Sequence, residues 1–167
     1  MKTSHLSVLA FATIIFASFG CNSPDTKSSG ALTSNAAERT YVAPGDYDEY
    51  YGFLSGGFSG QLSVYGIPSG RLLKVIPVFS QDPEKAYGYN EETKPMLQTS
   101  HGFIPWDDTH HPDISQTNGQ LDGRWVFMNG NNTPRIARID LTTFETAEII
   151  EIPNSAGNHS SAFVTEN

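Results

Sequence analysis

From about Thr40 onward the chain consists of short β-prone runs separated by Gly, Pro, Asn and Asp, with no convincing amphipathic helix. That punctuation confines it to an all-β architecture. Leu62–Ile67 reads as a strand, Pro68-Ser69-Gly70 as a turn, and Arg71–Phe79 as the returning strand. Further on, Trp125–Met128 reads as a strand, Asn129–Thr133 as a turn, Arg135–Leu141 as a strand, Thr142-Thr143 as a turn and Ala147–Ile152 as another strand. The order predicts a meander of antiparallel strands.

An internal echo suggests how the strands group. Ile76-Pro77 and Ile152-Pro153 each close a hairpin, 76 positions apart. A four-stranded propeller blade takes about 40–50 residues, so the offset fits one blade carrying an excursion, Gln81–Gly123. Long connections on β scaffolds are where function tends to be placed. This one holds the run Asp107-Asp108-Thr109-His110-His111-Pro112.

Two imidazoles beside two carboxylates have the composition of a metal site. Neutral imidazole binds zinc, copper, iron or nickel, and a ligating His usually donates its other ring N–H to a carboxylate that fixes its orientation. Pro112 biases His111 towards extended geometry. On a regular strand adjacent side chains point to opposite faces, so two neighbouring ligands need an irregular loop or strand end. A solvated loop with two titrating histidines gives the same local sequence. His159 follows His111 by 48 positions, close to one blade length, which makes His110, His111 and His159 a candidate constellation. His101 has no carboxylate close in sequence and reads as a loop residue; His5 belongs to the N-terminal segment.

That segment predicts export. Lys2 precedes an apolar run, Leu6–Phe19, that is shorter than the roughly 20 residues of a transmembrane helix. Ser18-Phe19-Gly20-Cys21 resembles a lipoprotein signal, which would make Cys21 the acylated N-terminus; a non-lipidated signal cleaved nearby is the other reading. One cysteine permits no intrachain disulfide. The expected organisation is a signal peptide at 1–21, a flexible polar tether at 22–39, and a β domain at 40–167. A net charge of −8 argues against a nucleic-acid surface, and contact with a membrane is expected only through the lipid anchor.

Several ordered blocks together resemble one family. Tyr41–Gly57, Ile76-Pro-Val-Phe79, the Asp108-x-His-His-Pro-x-x-Ser115 pattern, Asp122-Gly-Arg124, Arg135–Ile139 and Ile152-Pro-Asn154 with His159 beyond it are similar to the N-terminal part of bacterial nitrous oxide reductase. The resemblance implies a seven-bladed propeller with a tetranuclear copper-sulfide centre held by seven histidines, and a cupredoxin domain with a dinuclear copper electron-entry site. It implies reduction of nitrous oxide by two electrons and two protons to dinitrogen and water. By the same resemblance His110, His111 and His159 are copper ligands and Asp108 an outer partner; the resemblance gives Asp107 no such support. The resemblance further implies a periplasmic location, a periplasmic electron donor such as a cytochrome c, a homodimer, and calcium in the full-length protein. Asp113 stands where familiar members often have another histidine, and no twin-arginine pair is present, which points to a divergent branch exported by the general secretory route. At 167 residues the chain holds about two to three blades. It is expected to be an N-terminal fragment, an incomplete propeller without activity alone.

Two other classes fit the composition. One is a propeller-like surface lipoprotein binding a glycan or calcium, with Tyr50, Tyr51, Phe53, Trp106 and Trp125 as aromatic platforms, although aromatics in β structures mostly fill the core. Asn129–Asn132 lacks the bidentate acid of a calcium loop. The other is a mononuclear zinc hydrolase, for which only Asp107 and Asp108 compete as general base.

Overall fold

The structure, a computed structural model, describes residues 36 to 156 and His159. The signal segment, Cys21 and the tether as far as residue 35 lie outside the described residues. No described helix is long and apolar enough to cross a membrane.

The described chain is all-β. After one helical turn, α1 (Ala36–Thr40), come β1 (Tyr50–Ser55), β2 (Gln61–Ile67) and β3 (Leu72–Pro77). A short hairpin follows, β4 (Gln98–Thr99) and β5 (Gly102–Phe103), and then β6 (Thr109–Thr117), β7 (Gln120–Gly130), β8 (Arg135–Asp140) and β9 (Glu145–Glu151). All pairings are antiparallel between strands adjacent in sequence, in the orders β1-β2-β3, β4-β5 and β6-β7-β8-β9. The meander expectation therefore holds, as do the strands expected at 62–67 and 135–141. The turn expected at Asn129–Thr133 begins later, because β7 runs through Gly130. The excursion is shorter than expected: Thr109–Gly123 is strand and hairpin, and the irregular connection ends at Asp108.

Alternation along the strands explains how the larger sheets stack. β2 and β8 bury every second residue, so each sheet offers one continuous apolar face. Leu62, Val64 and Ile76 of the first sheet pack against Val126, Met128, Ala137 and Ile139 of the second, all fully buried. Phe53 and Phe144 seal one side of the core with ring centroids 6.5 Å apart. The two sheets stack face to face in the manner of adjoining propeller blades.

The sheets repeat each other in register, but not at the offset of the Ile-Pro pairs. Leu62 pairs with Ser55 and Ile76, as Ile136 pairs with Asn129 and Ile150. Both sheets carry a register shift at the matching place, Val64/Tyr65 and Arg138/Ile139. The structural offset is thus 74 residues, Ile150-Glu151 occupies the place of Ile76-Pro77, and Ile152-Pro153 lies beyond β9. By this register β1, β2 and β3 match β7, β8 and β9. β6 has no counterpart among the described residues.

Candidate metal centre

β6 is the strand that carries the His pair, and it starts with the irregularity that two adjacent ligands require. His111 has φ +48°, and the pairing with β7 shifts between His110 and Asp113. The extended geometry expected for His111 from Pro112 does not hold. A bulge rotates one residue out of the alternation, which lets both imidazoles turn to the same side at the cost of a left-handed residue, about 1–3 kcal/mol.

The three expected ligands converge. His159 Nε2 lies 3.0 Å from His110 Nδ1 and 3.3 Å from His111 Nε2, and one nitrogen from each ring falls within a sphere of contacts no wider than 4.8 Å. Tetrahedral bonds of about 2.0 Å to nitrogen would place ligand atoms about 3.3 Å apart, which matches the two separations from His159 Nε2, and the three donors together could hold a metal ion. His110 donates through Nε2 to Asp108 Oδ2 at 3.0 Å, and this leaves its Nδ1 lone pair directed at the cluster. Asp108 is 6% exposed, and its Oδ1 has no hydrogen-bond partner. His101 lies on the exposed β4–β5 turn and takes no part in the cluster.

The sequence gives little sign of what holds this arrangement. Asp107 is fully buried and accepts hydrogen bonds from the Asp108 amide at 2.7 Å, the Asn132 amide at 2.9 Å, Asn132 Nδ2 at 3.1 Å and the Thr133 hydroxyl. The Arg135 guanidinium, 1% exposed, lies 3.5 Å from its carboxylate and stacks over Phe79 with the cation 5.0 Å from the ring centre. The Asp107 amide donates to Phe79 O, the Thr109 amide to Gly57 O, and the Asn131 amide to Asp108 O. Residues 107–109 are therefore pinned on both sides immediately before the His pair. Asp107 is a structural anchor, and neither its position in the dyad nor its charge distinguishes it from Asp108 in sequence.

The aromatic platforms divide. Phe53 packs against the core, and Trp125 lies beneath Arg138 at 4.3 Å. Tyr50, Tyr51 and Trp106 are exposed, the last stacked on Phe58 with centroids 6.1 Å apart. Tyr51 and Phe53 line one open cavity together with Phe144.

An all-β stack of two sheets with three convergent imidazoles, one backed by a buried carboxylate, has a histidine cluster that could hold a metal ion. No family model matches the chain. It is 39% identical over 153 residues to the nitrous-oxide reductase of Pseudomonas fluorescens, covering 92% of this chain and 23% of that protein. It is 39% identical over 122 residues to the nitrous-oxide reductase of Stutzerimonas stutzeri, covering 73% and 19%, and 39% identical over 127 residues to that of Cupriavidus necator, covering 74% and 20%. The chain belongs to the nitrous-oxide reductase family. It spans about a fifth of the length of these relatives.

Proposed function

We propose that this chain contributes three copper ligands, His110, His111 and His159, to the centre at which a nitrous oxide reductase converts nitrous oxide to dinitrogen and water. The observation that carries the proposal is the convergence of three ring nitrogens at ligand spacing. Imidazole suits copper, which stands at the top of the divalent affinity series, whereas calcium prefers oxygen donors. That preference disfavours a calcium-binding lipoprotein.

When bound, the copper-sulfide centre supplies electrons for cleavage of the nitrogen–oxygen bond. This chain's residues hold and orient. His110 presents Nδ1 because its Nε2–H donates to Asp108, the bulge at His111 brings the second imidazole beside the first, and His159 closes the set. Four further histidines and the dinuclear electron-entry copper belong to other parts of the family's polypeptide. The chain by itself should therefore bind copper without reducing nitrous oxide. Export to the periplasm, acylation of Cys21, a cytochrome c-type electron donor and a homodimer belong to the same proposal.

The test is a Cu(II) titration of the chain, followed by calorimetry and by nitrogen hyperfine structure in the electron paramagnetic resonance spectrum. One equivalent with imidazole couplings is expected. His111→Ala and His159→Ala should each weaken binding by at least about tenfold, the equivalent of about 1.4 kcal/mol. Copper binding unchanged by both substitutions would overturn the ligand assignment, and dinitrogen production by the copper-loaded chain would overturn its inactivity.

A further inference from the structure

The proposed ligands reach the cluster from opposite edges of the second sheet, and one carboxylate ties the two approaches together. His110 and His111 stand at the start of β6, which the chain enters from the β4–β5 hairpin, and His159 stands eight positions beyond Glu151, the last residue of β9. Glu151 Oε1 accepts from the Ser100 hydroxyl and Oε2 from the Ser100 amide, each at 2.7 Å. Ser100 lies where the β4–β5 ladder ends, so Glu151 supplies the acceptor that its amide would otherwise find in water. The Ser100 hydroxyl in turn is the chief cause holding the Glu151 carboxyl below its usual range.

Two further sets of contacts make this link a geometric one. The main chain holds the exit from β9 on the β8 side, where Glu151 pairs with Arg135 and the Ile152 amide donates to Pro134 O at 2.7 Å. On the other side a cavity of about 360 Å³ separates the Ser100-His101 turn from Pro153 and Asn154, so the two hydrogen bonds of Glu151, rather than packing, span the gap. The hairpin is itself fixed to the stretch that leads to the His pair: the Ile104 amide donates to Leu97 O at 3.0 Å, and Ile104 O accepts from the buried Arg135 guanidinium at 3.1 Å.

We propose that Glu151, acting through Ser100, is a positioning residue for His159, setting where the chain leaves β9 relative to the His pair. This rests on the reading of the three histidines as metal ligands. A binding group has to be held within about 0.5 Å of its productive place, and His159 Nε2 lies 3.0 and 3.3 Å from ring nitrogens of the other two. Glu151 contributes to the place of the third imidazole and leaves its chemistry alone.

Cu(II) titration of the chain by calorimetry, with the imidazole couplings counted by pulsed electron paramagnetic resonance, tests the proposal. Glu151→Ala should weaken copper binding about tenfold, the low end of what support of a ligand is worth, and should remove one of the three imidazole couplings. Ser100→Ala, which keeps the amide hydrogen bond, should act in the same direction to a smaller extent, and it carries the test if Glu151→Ala unfolds. Glu151→Ala/His159→Ala should bind copper as His159→Ala does, because a ligand already removed cannot be displaced. Parental affinity with all three couplings in Glu151→Ala and Ser100→Ala, or losses that add in the double variant, would overturn the positioning role and leave the ligand assignment standing. A His159→Ala chain that binds copper as the parent does would overturn both.

Discussion

Replacing Asp107 by Ala should be the most damaging single change near the candidate metal centre, though Asp107 touches no proposed ligand. The side chain is fully buried and accepts four hydrogen bonds besides facing the Arg135 guanidinium. The donors from Asn132 and Thr133 sit at the edge of the fold and can regain water. Arg135 cannot, since its side chain is 1% exposed and keeps only the Thr133 hydroxyl and Ile104 O as acceptors. The largest cost is that of an uncompensated buried cation, and breaking such a pair costs about 3–5 kcal/mol. Against a typical domain stability of about 5–15 kcal/mol, that is a large share. With a mid-range urea slope of about 2 kcal/mol/M, the midpoint should fall by about 2 M. Asp107→Ala/Arg135→Met should recover much of the loss, because the stranded charge is gone. Copper affinity should fall with the single substitution, since residues 107–109 lose their anchor. A stability for Asp107→Ala within about 1 kcal/mol of the parent, or a double variant as unstable as the single, would refute the reasoning.

Two further outcomes follow from the structure. The carboxyls of Asp122, Asp140 and Glu151 are held below their usual range, chiefly by the hydroxyls of Ser115, Thr142 and Ser100 respectively. A carboxyl depressed in the folded state stabilises fully above its unfolded pKa of about 4 and loses that contribution as pH falls through the folded value, so the urea midpoint should be level above about pH 5 and decline below about pH 4. Ser100→Ala should make the decline shallower, and a midpoint that rises on acidification would contradict the assignment. Gly60 has φ +66°, and a Cβ there would come within 2.8 Å of Ser80 Cβ and 3.0 Å of both Phe79 O and Asp107 O. Gly60→Ala should therefore cost about 2–4 kcal/mol in urea unfolding, whereas Gly70→Ala, with φ +71° and nothing within 4 Å, should cost only about 1–2 kcal/mol for its backbone; equal losses would remove the steric argument.

The strands that sequence reveals are those with clean alternation and a Gly or Pro turn beside them. β2 and β3 flank Pro68-Ser69-Gly70, and β8 and β9 flank Thr142-Thr143. β1 and β6 are hidden for different reasons. Tyr50–Ser55 pairs on one side only, so its residues are mostly exposed and show no inside–outside pattern. Thr109–Thr117 contains Pro112 and two register shifts, which break the alternation that would announce a strand. The Ile-Pro echo misplaces the repeat by two residues because it compares a strand's last pair with residues beyond a strand's end. Pairing partners and matching bulges fix the true offset, and neither can be read without the partner strand.

The ligand set is more legible than its support, for a topological reason. His111 lies near the start of β6 and His159 follows β9, so the 48-position step between them traverses one whole four-stranded meander. An even number of antiparallel strands returns the chain to the end of the sheet from which it started. Strands about 4.8 Å apart leave β6 and β9 roughly 14 Å from each other across the sheet, and the residues between Glu151 and His159, at up to about 3.3 Å each, have reach to spare for the return. Sheet-length spacing therefore carries information about convergence at the histidine cluster. The anchor has no such signature: Asp107 finds Asn132, Thr133 and Arg135 across a contact between the excursion and the β7–β8 turn, and its chemistry as a buried carboxylate depends on that contact alone. A search for ligands by residue type and spacing will thus recover imidazoles and miss the charge pair that keeps them in place.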